Sequence, residues 1–294
     1  MALQSSVIPI SVGWSIVKSV LIVDDDEACA DLLCDSLSRA DRFLFTAFTA
    51  AQAEKMLASR TFDLVLLDLG LPDGSGIDLL ERFTRKHPNT RFVVITGDES
   101  TSAVLGAMNG AAHDFVRKPF AIEDLREWVD GWLSAGHDAD IHFHWIKPHW
   151  VEMSIPCSLR AVDRVSRFFS NLQGDLPFEF RDQVGDCVRE LVMNAVEWGG
   201  HFDPSNKVQI SYIRTERMVQ FRIIDPGKGF SFDNMSHAAV GQTSADPTAY
   251  ARVRMQRGIR PGGLGLVIAR SIADDLLYNE AQNEVIFIKF LPEM

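Results

Sequence analysis

The chain is short of the features that would settle its class at once. Of its 294 residues four are cysteines, Cys29, Cys34, Cys157 and Cys187, and no two of them are spaced as Cys-x-x-Cys. That argues against a disulfide scaffold or a thiolate zinc module and reads as ordinary buried thiols of a reducing compartment. Basic residues are in deficit: 29 Lys and Arg face 40 Asp and Glu, giving a net charge of −11. Phosphate-rich surfaces repel such a chain, which argues against direct nucleic-acid binding and against an anionic membrane. The apolar segment at 7–17 lacks a basic start and is too short to span a bilayer. A Walker A lysine loop is missing as well, so a P-loop fold is the wrong comparison. The expectation is a cytoplasmic protein of two domains, each long enough to bury its own core.

What the first half does have is a set of polar side chains at the ends of apolar runs. Val20-Leu21-Ile22-Val23 leads into Asp24-Asp25, Leu64-Val65-Leu66-Leu67 into Asp68, Phe92-Val93-Val94-Ile95 into Thr96, and Phe115-Val116 precedes Lys118-Pro119. Such runs, separated by helix-patterned stretches, read as buried strands of a parallel sheet whose carboxyl ends converge on one crevice. Three carboxylates at one rim repel one another unless a cation joins them, and hard oxygen donors suit Mg²⁺. An aspartate beside Mg²⁺ can attack a phosphoryl donor, with Lys118 balancing the transferred oxygens and Thr96 donating a hydrogen bond to one of them. A strand pattern at 43–48 and helix patterns at 50–59, 76–86, 100–109 and 122–133 complete the alternation. The expected fold is α/β, a doubly wound (βα)5 parallel sheet with right-handed crossovers.

Residues 19–134 resemble the receiver domain of two-component response regulators. The resemblance implies that Asp24 and Asp25 are the metal-binding pair, that Asp68 is both phosphoacceptor and metal ligand, and that the carbonyl of Gly70 is a backbone ligand. Thr96 would be the switch hydroxyl, Lys118 the phosphate-contacting lysine and Phe115 the aromatic residue that moves inward with Thr96. An upstream histidine kinase or other phosphodonor would supply the phosphoryl group. Since that group can only shift a two-state equilibrium, what it controls must lie elsewhere in the chain.

Residues 1–18 read as an N-terminal extension and 135–149 as a linker, where Gly136, aspartates and histidines interrupt the helical pattern. His142, His144 and His149 with Asp138 or Asp140 match no familiar ligand framework, and solvated histidines are the preferred explanation. The second domain is expected over 150–294. It has strand character at 151–156, helical spacing at 159–172 and a longer helix at 178–198 after Pro177. On that longer helix Glu190 and Asn194 stand four apart and share a face, with Glu197 nearby. A carboxylate and an amide on an otherwise apolar helix are costly to bury without a ligand and suggest a metal and a water. Downstream, Asp225-Pro226-Gly227-Lys228-Gly229 ends an apolar strand, and Gly262-Gly263-Leu264-Gly265 precedes a helix pattern. Glycines before a helix let backbone N–H groups approach phosphate oxygens, where the helix dipole also favours negative charge.

That ordered trio resembles the nucleotide-binding domain of the GHKL superfamily, whose fold is the Bergerat α/β sandwich with a mixed sheet covered on one face by helices. The resemblance implies ATP and Mg²⁺ as cofactors. Asp225 would accept from the adenine amino group, Asn194 would bind the metal, and Glu190 would activate the group attacking the γ-phosphate. Gly227 and Gly229 match the first glycine box, Gly263 and Gly265 the second, and 231–260 would be a lid in which Arg252, Arg254, Arg257 or Arg260 contacts phosphate. Two departures stand out: Pro261 beside the second box, and Trp198 where relatives often carry histidine.

The 134–150 connection is too short for a phosphohistidine hairpin, which sets aside an ordinary hybrid histidine kinase; no transducer domain is expected after the nucleotide fold, which sets this chain apart from mismatch-repair and topoisomerase relatives. The compact form resembles the anti-sigma-factor serine kinases. It implies a domain that phosphorylates a serine of an anti-anti-sigma-like protein, or that sequesters such a protein or a sigma factor without catalysis. A histidine-kinase-related regulator is the remaining alternative, and a homodimer is expected from both families.

Overall fold

The computed structural model describes residues 17–98, 100–134, 141–229 and 265–292. In the N-terminal half β1 (Lys18–Val23), β2 (Arg42–Ala47), β3 (Leu64–Leu67), β4 (Arg91–Thr96) and β5 (Asp114–Arg117) alternate with α1 (Glu27–Leu37), α2 (Ala50–Ser59), α3 (Gly76–Lys86), α4 (Thr101–Asn109) and α5 (Ile122–Ser134). The strands lie in the order β2-β1-β3-β4-β5, every neighbour parallel. Side chains of β1 and β3 are buried on both faces, as helices on both sides of a parallel sheet require. Four helices start at a side-chain cap: Asp26, Thr49, Ser75 and Ser100 each accept from backbone N–H groups of the first turn. Each cap contributes about 1 kcal/mol by satisfying an otherwise orphaned donor. The five-strand reading of this half holds throughout.

The C-terminal half is a six-stranded sheet in the order β10-β11-β9-β8-β7-β6. Its strands are β6 (His142–Lys147), β7 (Trp150–Pro156), β8 (Lys207–Arg214), β9 (Met218–Ile224), β10 (Asp275–Tyr278) and β11 (Glu284–Phe290), and its helices are α6 (Leu159–Leu172), α7 (Phe178–Asn194) and α8 (Gly265–Ile272). Burial alternates along β8 and β9, so one face packs under the helices and the other stays open. The packed face holds an aromatic stack in which Phe169 meets Phe221 edge-on at 4.8 Å and Tyr212 at 5.4 Å. Among the described residues no helix is long and apolar enough to cross a membrane.

Three expectations are corrected here. The sandwich is present, but every described pairing in its sheet is antiparallel rather than mixed. Two helices separate β7 from β8, so the chain returns to the end of the sheet it left and β8 runs back along β7. Residues 142–147 are not linker but the edge strand β6, paired with β7 across a bulge between Phe143 and Trp145. Phe143 packs on Phe168 of α6 at 5.1 Å, which anchors the strand, while His142 and His144 face solvent. The thiols differ too: Cys157 and Cys187 are buried, whereas Cys29 and Cys34 are half-buried on α1.

Candidate functional site

At the carboxyl ends of β1, β3, β4 and β5 the strands deliver Asp24, Asp68, Thr96 and Lys118 to one pocket. Lys118 Nζ lies 2.6 Å from Asp24 Oδ2 and 2.6 Å from Asp68 Oδ2. Asp24, Asp68 and Thr96 are buried and Asp25 is exposed at the mouth. Carboxylate oxygens of Asp24, Asp25 and Asp68 come within 4.8 Å of one another. Burial by itself would lower the pKa of Lys118, but the hydrogen bonds and charges of Asp24 and Asp68 outweigh it and hold the ammonium well above its ordinary value. Backbone N–H groups fix the carboxylates: Asp26 donates to Asp24 Oδ1 at 3.1 Å and Gly70 to Asp68 Oδ1 at 3.0 Å. The Thr96 hydroxyl accepts from the N–H of Asp98 at 3.2 Å, which leaves its proton free to donate. Phe115 is fully buried behind it.

Three carboxylates against one ammonium leave two negative charges, the charge of one Mg²⁺, and the donors are all oxygen. These residues fit the cation. The half-buried Cys29 thiol beside Asp24 is pushed up to about 11, first by burial and then by its hydrogen bond to Asp24, so it stays protonated.

The second constellation gathers around the end of α7. Glu190 lies on that helix and Asn194 ends it; the chain then widens into one π-helical turn over Ala195–Gly199 before β8. Such widened turns often mark functional sites. Here the turn places Gly199 against Asp225, at the end of β9, so closely that any Cβ on Gly199 would overlap the carboxylate. Asp225 Oδ1 accepts from Gly227 N–H at 2.7 Å, and Gly227 in turn faces Gly199. Burial raises the pKa of Asp225, and the Gly227 donor only partly offsets that. Gly229 has φ +83°, a left-handed conformation that glycine adopts without strain, and its approach to the carbonyl of Ala281 leaves no space for a side chain. Gly265 opens α8 beside Glu190 Oε2, again where a Cβ would overlap.

A cavity of about 110 Å³ opens between these elements, walled by Leu191, Ile223, Leu266 and Val285, with Asn194 and Asp225 at its polar side. The apolar walls and the Asp225 carboxylate at the polar side fit a nucleotide base. The proposed site residues Glu190, Asn194, Asp225, Gly227, Gly229 and Gly265 are thus brought to one place. Gly263, the lid at 231–260 with its four arginines, Pro261, Asp138, Asp140 and residues 1–16 lie outside the described residues.

Sequence reasoning missed part of this wall. Trp198 lines the cavity rather than merely replacing a histidine, and Tyr278 and Asn283 come to it from the β10–β11 hairpin. Asn283 binds the glycine turn twice: its carbonyl accepts from Asp225 N–H at 2.9 Å and its side-chain amide donates to Gly227 O at 3.1 Å. The paired asparagines at 279 and 283 were the available signal, since Asn279 Nδ2 donates to Asn283 Oδ1 at 2.8 Å and closes the hairpin.

Comparison with known families agrees with both halves. Residues 20–130 match the response regulator receiver domain and residues 155–289 the histidine kinase-like ATPase domain. The chain joins a receiver domain to a histidine kinase-like ATPase domain. The response regulator protein PilR of Pseudomonas aeruginosa is 38% identical over 112 residues, covering 38% of this chain and 25% of PilR. The swarming motility regulation protein RssB of Serratia marcescens is 35% identical over 107 residues, covering 36% of this chain and 49% of RssB. The matched region is thus a quarter to a half of these relatives, and it is confined to the receiver. A CheY-like receiver domain protein from Methanospirillum hungatei is 31% identical over 40% of this chain and 94% of its own, with a TM-score of 0.39.

Proposed function

We propose that the protein is a phosphorylation-controlled cytoplasmic regulator whose ATPase domain binds Mg-ATP and acts on a partner protein. Asn194 and Asp225 lining one cavity, with Gly199 and Gly227 packed on Asp225 and Gly265 packed on Glu190, carry this reading. In the receiver an Asp68 oxygen attacks phosphorus of the phosphodonor; that O–P bond forms as the bond to the donor's leaving group breaks. Lys118 then faces the new phosphoryl oxygens, and Thr96 turns its free proton toward one of them. Asp24, Asp25, Asp68 and the carbonyl of Gly70 would hold Mg²⁺, which neutralises charge on the transferring group when bound.

In the ATPase domain Asp225 presents a carboxylate oxygen to an exocyclic amino group, while the apolar walls exclude water from the base. Asn194 would hold Mg²⁺ beside the phosphates. Glu190, at the mouth of α8, takes the proton of the hydroxyl that attacks the γ-phosphate. The hydroxyl belongs to a serine of an anti-anti-sigma-like protein. Without transfer, the same loaded domain sequesters such a protein or a sigma factor.

Incubation with Mg-ATP and a panel of anti-anti-sigma-like proteins, read by phosphoserine mapping, tests the assignment. Phosphoserine on one partner is expected. A stable ATP-dependent complex without phosphoserine converts the reading to a binding module, and no ATP uptake by calorimetry overturns it.

A further inference from the structure

The first helix of the ATPase domain, α6, is bonded along its length to the receiver. Arg160, Arg164 and Arg167 are spaced four and three apart and so share one face. Arg160 donates to Gly131 O at 3.5 Å and to Ser134 Oγ at 3.1 Å, Arg164 donates to His113 O, and Arg167 meets Asp114 Oδ2 at 2.6 Å with its guanidinium 4.7 Å from the Trp128 ring. Asp114 is buried at the start of β5, and Trp132 Nε1 also donates to it. Burial would raise its pKa, but Arg167 and Arg164 more than compensate and leave it below the ordinary carboxylate value.

The far end of α6 is held by residues next to the phosphoacceptor pocket. Arg117 donates to the carbonyl of Asn171 at 3.2 Å, and Thr101 to the carbonyl of Leu172 at 3.4 Å. Both are carbonyls of the last helical turn, where that of Asn171 also accepts from Gly174 N–H at 3.1 Å, so Arg117 ties into the C-terminal cap itself. Gly174, just beyond, lets Arg117 lie flat on the chain: a Cβ there would come 2.6 Å from its guanidinium. Arg117 directly precedes Lys118, which touches Asp24 and Asp68, and Thr101 opens the helix that follows Thr96. On its other side α6 packs on α7, where Asp163 pairs with Arg189 at 2.8 Å, one residue before Glu190.

We propose that Arg117 and Thr101 are positioning residues for the nucleotide site, and that α6 is the rigid element through which the state of Asp68 sets the placement of Glu190 and Asn194. This deepens the ATP-binding reading and rests on it for its functional outcome. Drawing Lys118 and Thr96 toward a phosphoryl group moves the two residues that hold the C-terminal turn of α6. A helix bonded at both ends and cross-linked to α7 then transmits the displacement as a unit, because packed elements shift between discrete arrangements rather than deform continuously.

The test uses the full chain with beryllofluoride and Mg²⁺ as the phosphoryl stand-in, and two readouts. Amide exchange should change in 159–194 on addition of beryllofluoride to the wild type, and ATP affinity should change about fivefold or more, the usual scale of coupling. Arg117→Ala should still take up beryllofluoride and still bind ATP, yet lose both the exchange change beyond residue 134 and the affinity ratio. Gly174→Ala, which displaces the Arg117 guanidinium without removing its charge, should reduce the ratio in the same direction. A merely structural role would lower thermal stability and leave the ratio intact. Exchange changes confined to the receiver, or an unaltered ratio in Arg117→Ala, overturn the proposal. If 159–194 responds in the wild type but not in Arg117→Ala while no ATP binds, the clamp stands and the nucleotide reading fails.

Discussion

The two candidate sites of this chain are built in opposite ways for the phosphoryl groups proposed for them. The receiver pocket is built from charge: two buried carboxylates are bridged by one ammonium at 2.6 Å each, and a third waits at the mouth. The ATPase pocket is built from space. Three glycines occupy positions where any side chain would overlap Glu190 or Asp225, and the walls are apolar. A small dianionic group with three terminal oxygens is recognised by compensating charge, so the residues that hold it must carry that charge themselves. A nucleotide brings its own surface, and the protein contributes shape, backbone donors and a few aimed polar atoms. Substitutions should therefore act as switches in the first pocket and as graded losses in the second.

The sharpest break in that contrast comes at Asp68. Asp68→Asn should abolish acylphosphate formation from a small-molecule phosphodonor, read by phosphate incorporation, because Asp68 is the attacking carboxylate in this reading and Asp24 and Asp25 are left to hold the metal. ATP affinity of the unphosphorylated chain should be unchanged. Residual incorporation at the wild-type level would move the phosphoacceptor elsewhere.

Next in size is Glu190→Gln. Loss of a general base reduces phosphoryl transfer by about 10²- to 10⁴-fold, while ATP binding persists because glutamine keeps the volume beside Gly265. Equal loss of binding and transfer would show that Glu190 shapes the pocket rather than takes a proton.

The same contrast explains what could be read before any coordinates. Every receiver residue closes an apolar strand, and a parallel sheet must bring strand ends together, so Asp24, Asp68, Thr96 and Lys118 were legible from local pattern alone. In the ATPase domain Glu190, Asn194 and Asp225 were legible as motifs, but their wall was not. The residues around 199 acquire their role only because α7 widens into a π turn that carries Gly199 onto Asp225. Asn283 matters because the last hairpin folds back on the glycine turn. Strand β6 was read as linker because a glycine, aspartates and histidines interrupt the helical pattern ahead of it, and its own short alternation, His142-Phe143-His144-Trp145, breaks at Ile146. Asp114 was invisible for a different reason: its partner Arg167 lies 53 residues away in the other domain.

That ion-pair cluster gives a third prediction, on stability. Asp114→Asn leaves Arg167 and Arg164 without their shared carboxylate at a buried junction, which costs about 3–5 kcal/mol for a buried pair broken on one side. Denaturant unfolding should show the loss, and should show it as a weakened junction between the two domains. The sign with pH is fixed by the depressed pKa of Asp114: its contribution is present above the unfolded-state value of about 3.9 and is lost only as pH falls through the lower folded value. The junction should therefore persist through mild acid. An unfolding midpoint unmoved by Asp114→Asn would show that the other contacts of α6 hold the halves together without this ion pair.

The smallest effect discriminates most finely between charge and shape. Asp225 has a folded-state pKa raised by burial, so the apo protein binds its proton more tightly than the unfolded chain does. The stability associated with that proton is present below the unfolded value and lost as pH rises through the folded one, so ionised Asp225 weakens the empty domain. Only the ionised form offers the amino group a full carboxylate acceptor. ATP affinity should thus fall as pH is lowered, with a midpoint above the ordinary aspartate value. Asp225→Asn should flatten that profile, raise the melting temperature of the empty domain and reduce ATP affinity by about 10- to 150-fold, the equivalent of 1.5–3 kcal/mol for a hydrogen bond to a charged group. Gains in melting temperature without loss of affinity would remove Asp225 from base recognition and leave the cavity to be defined by its glycines alone.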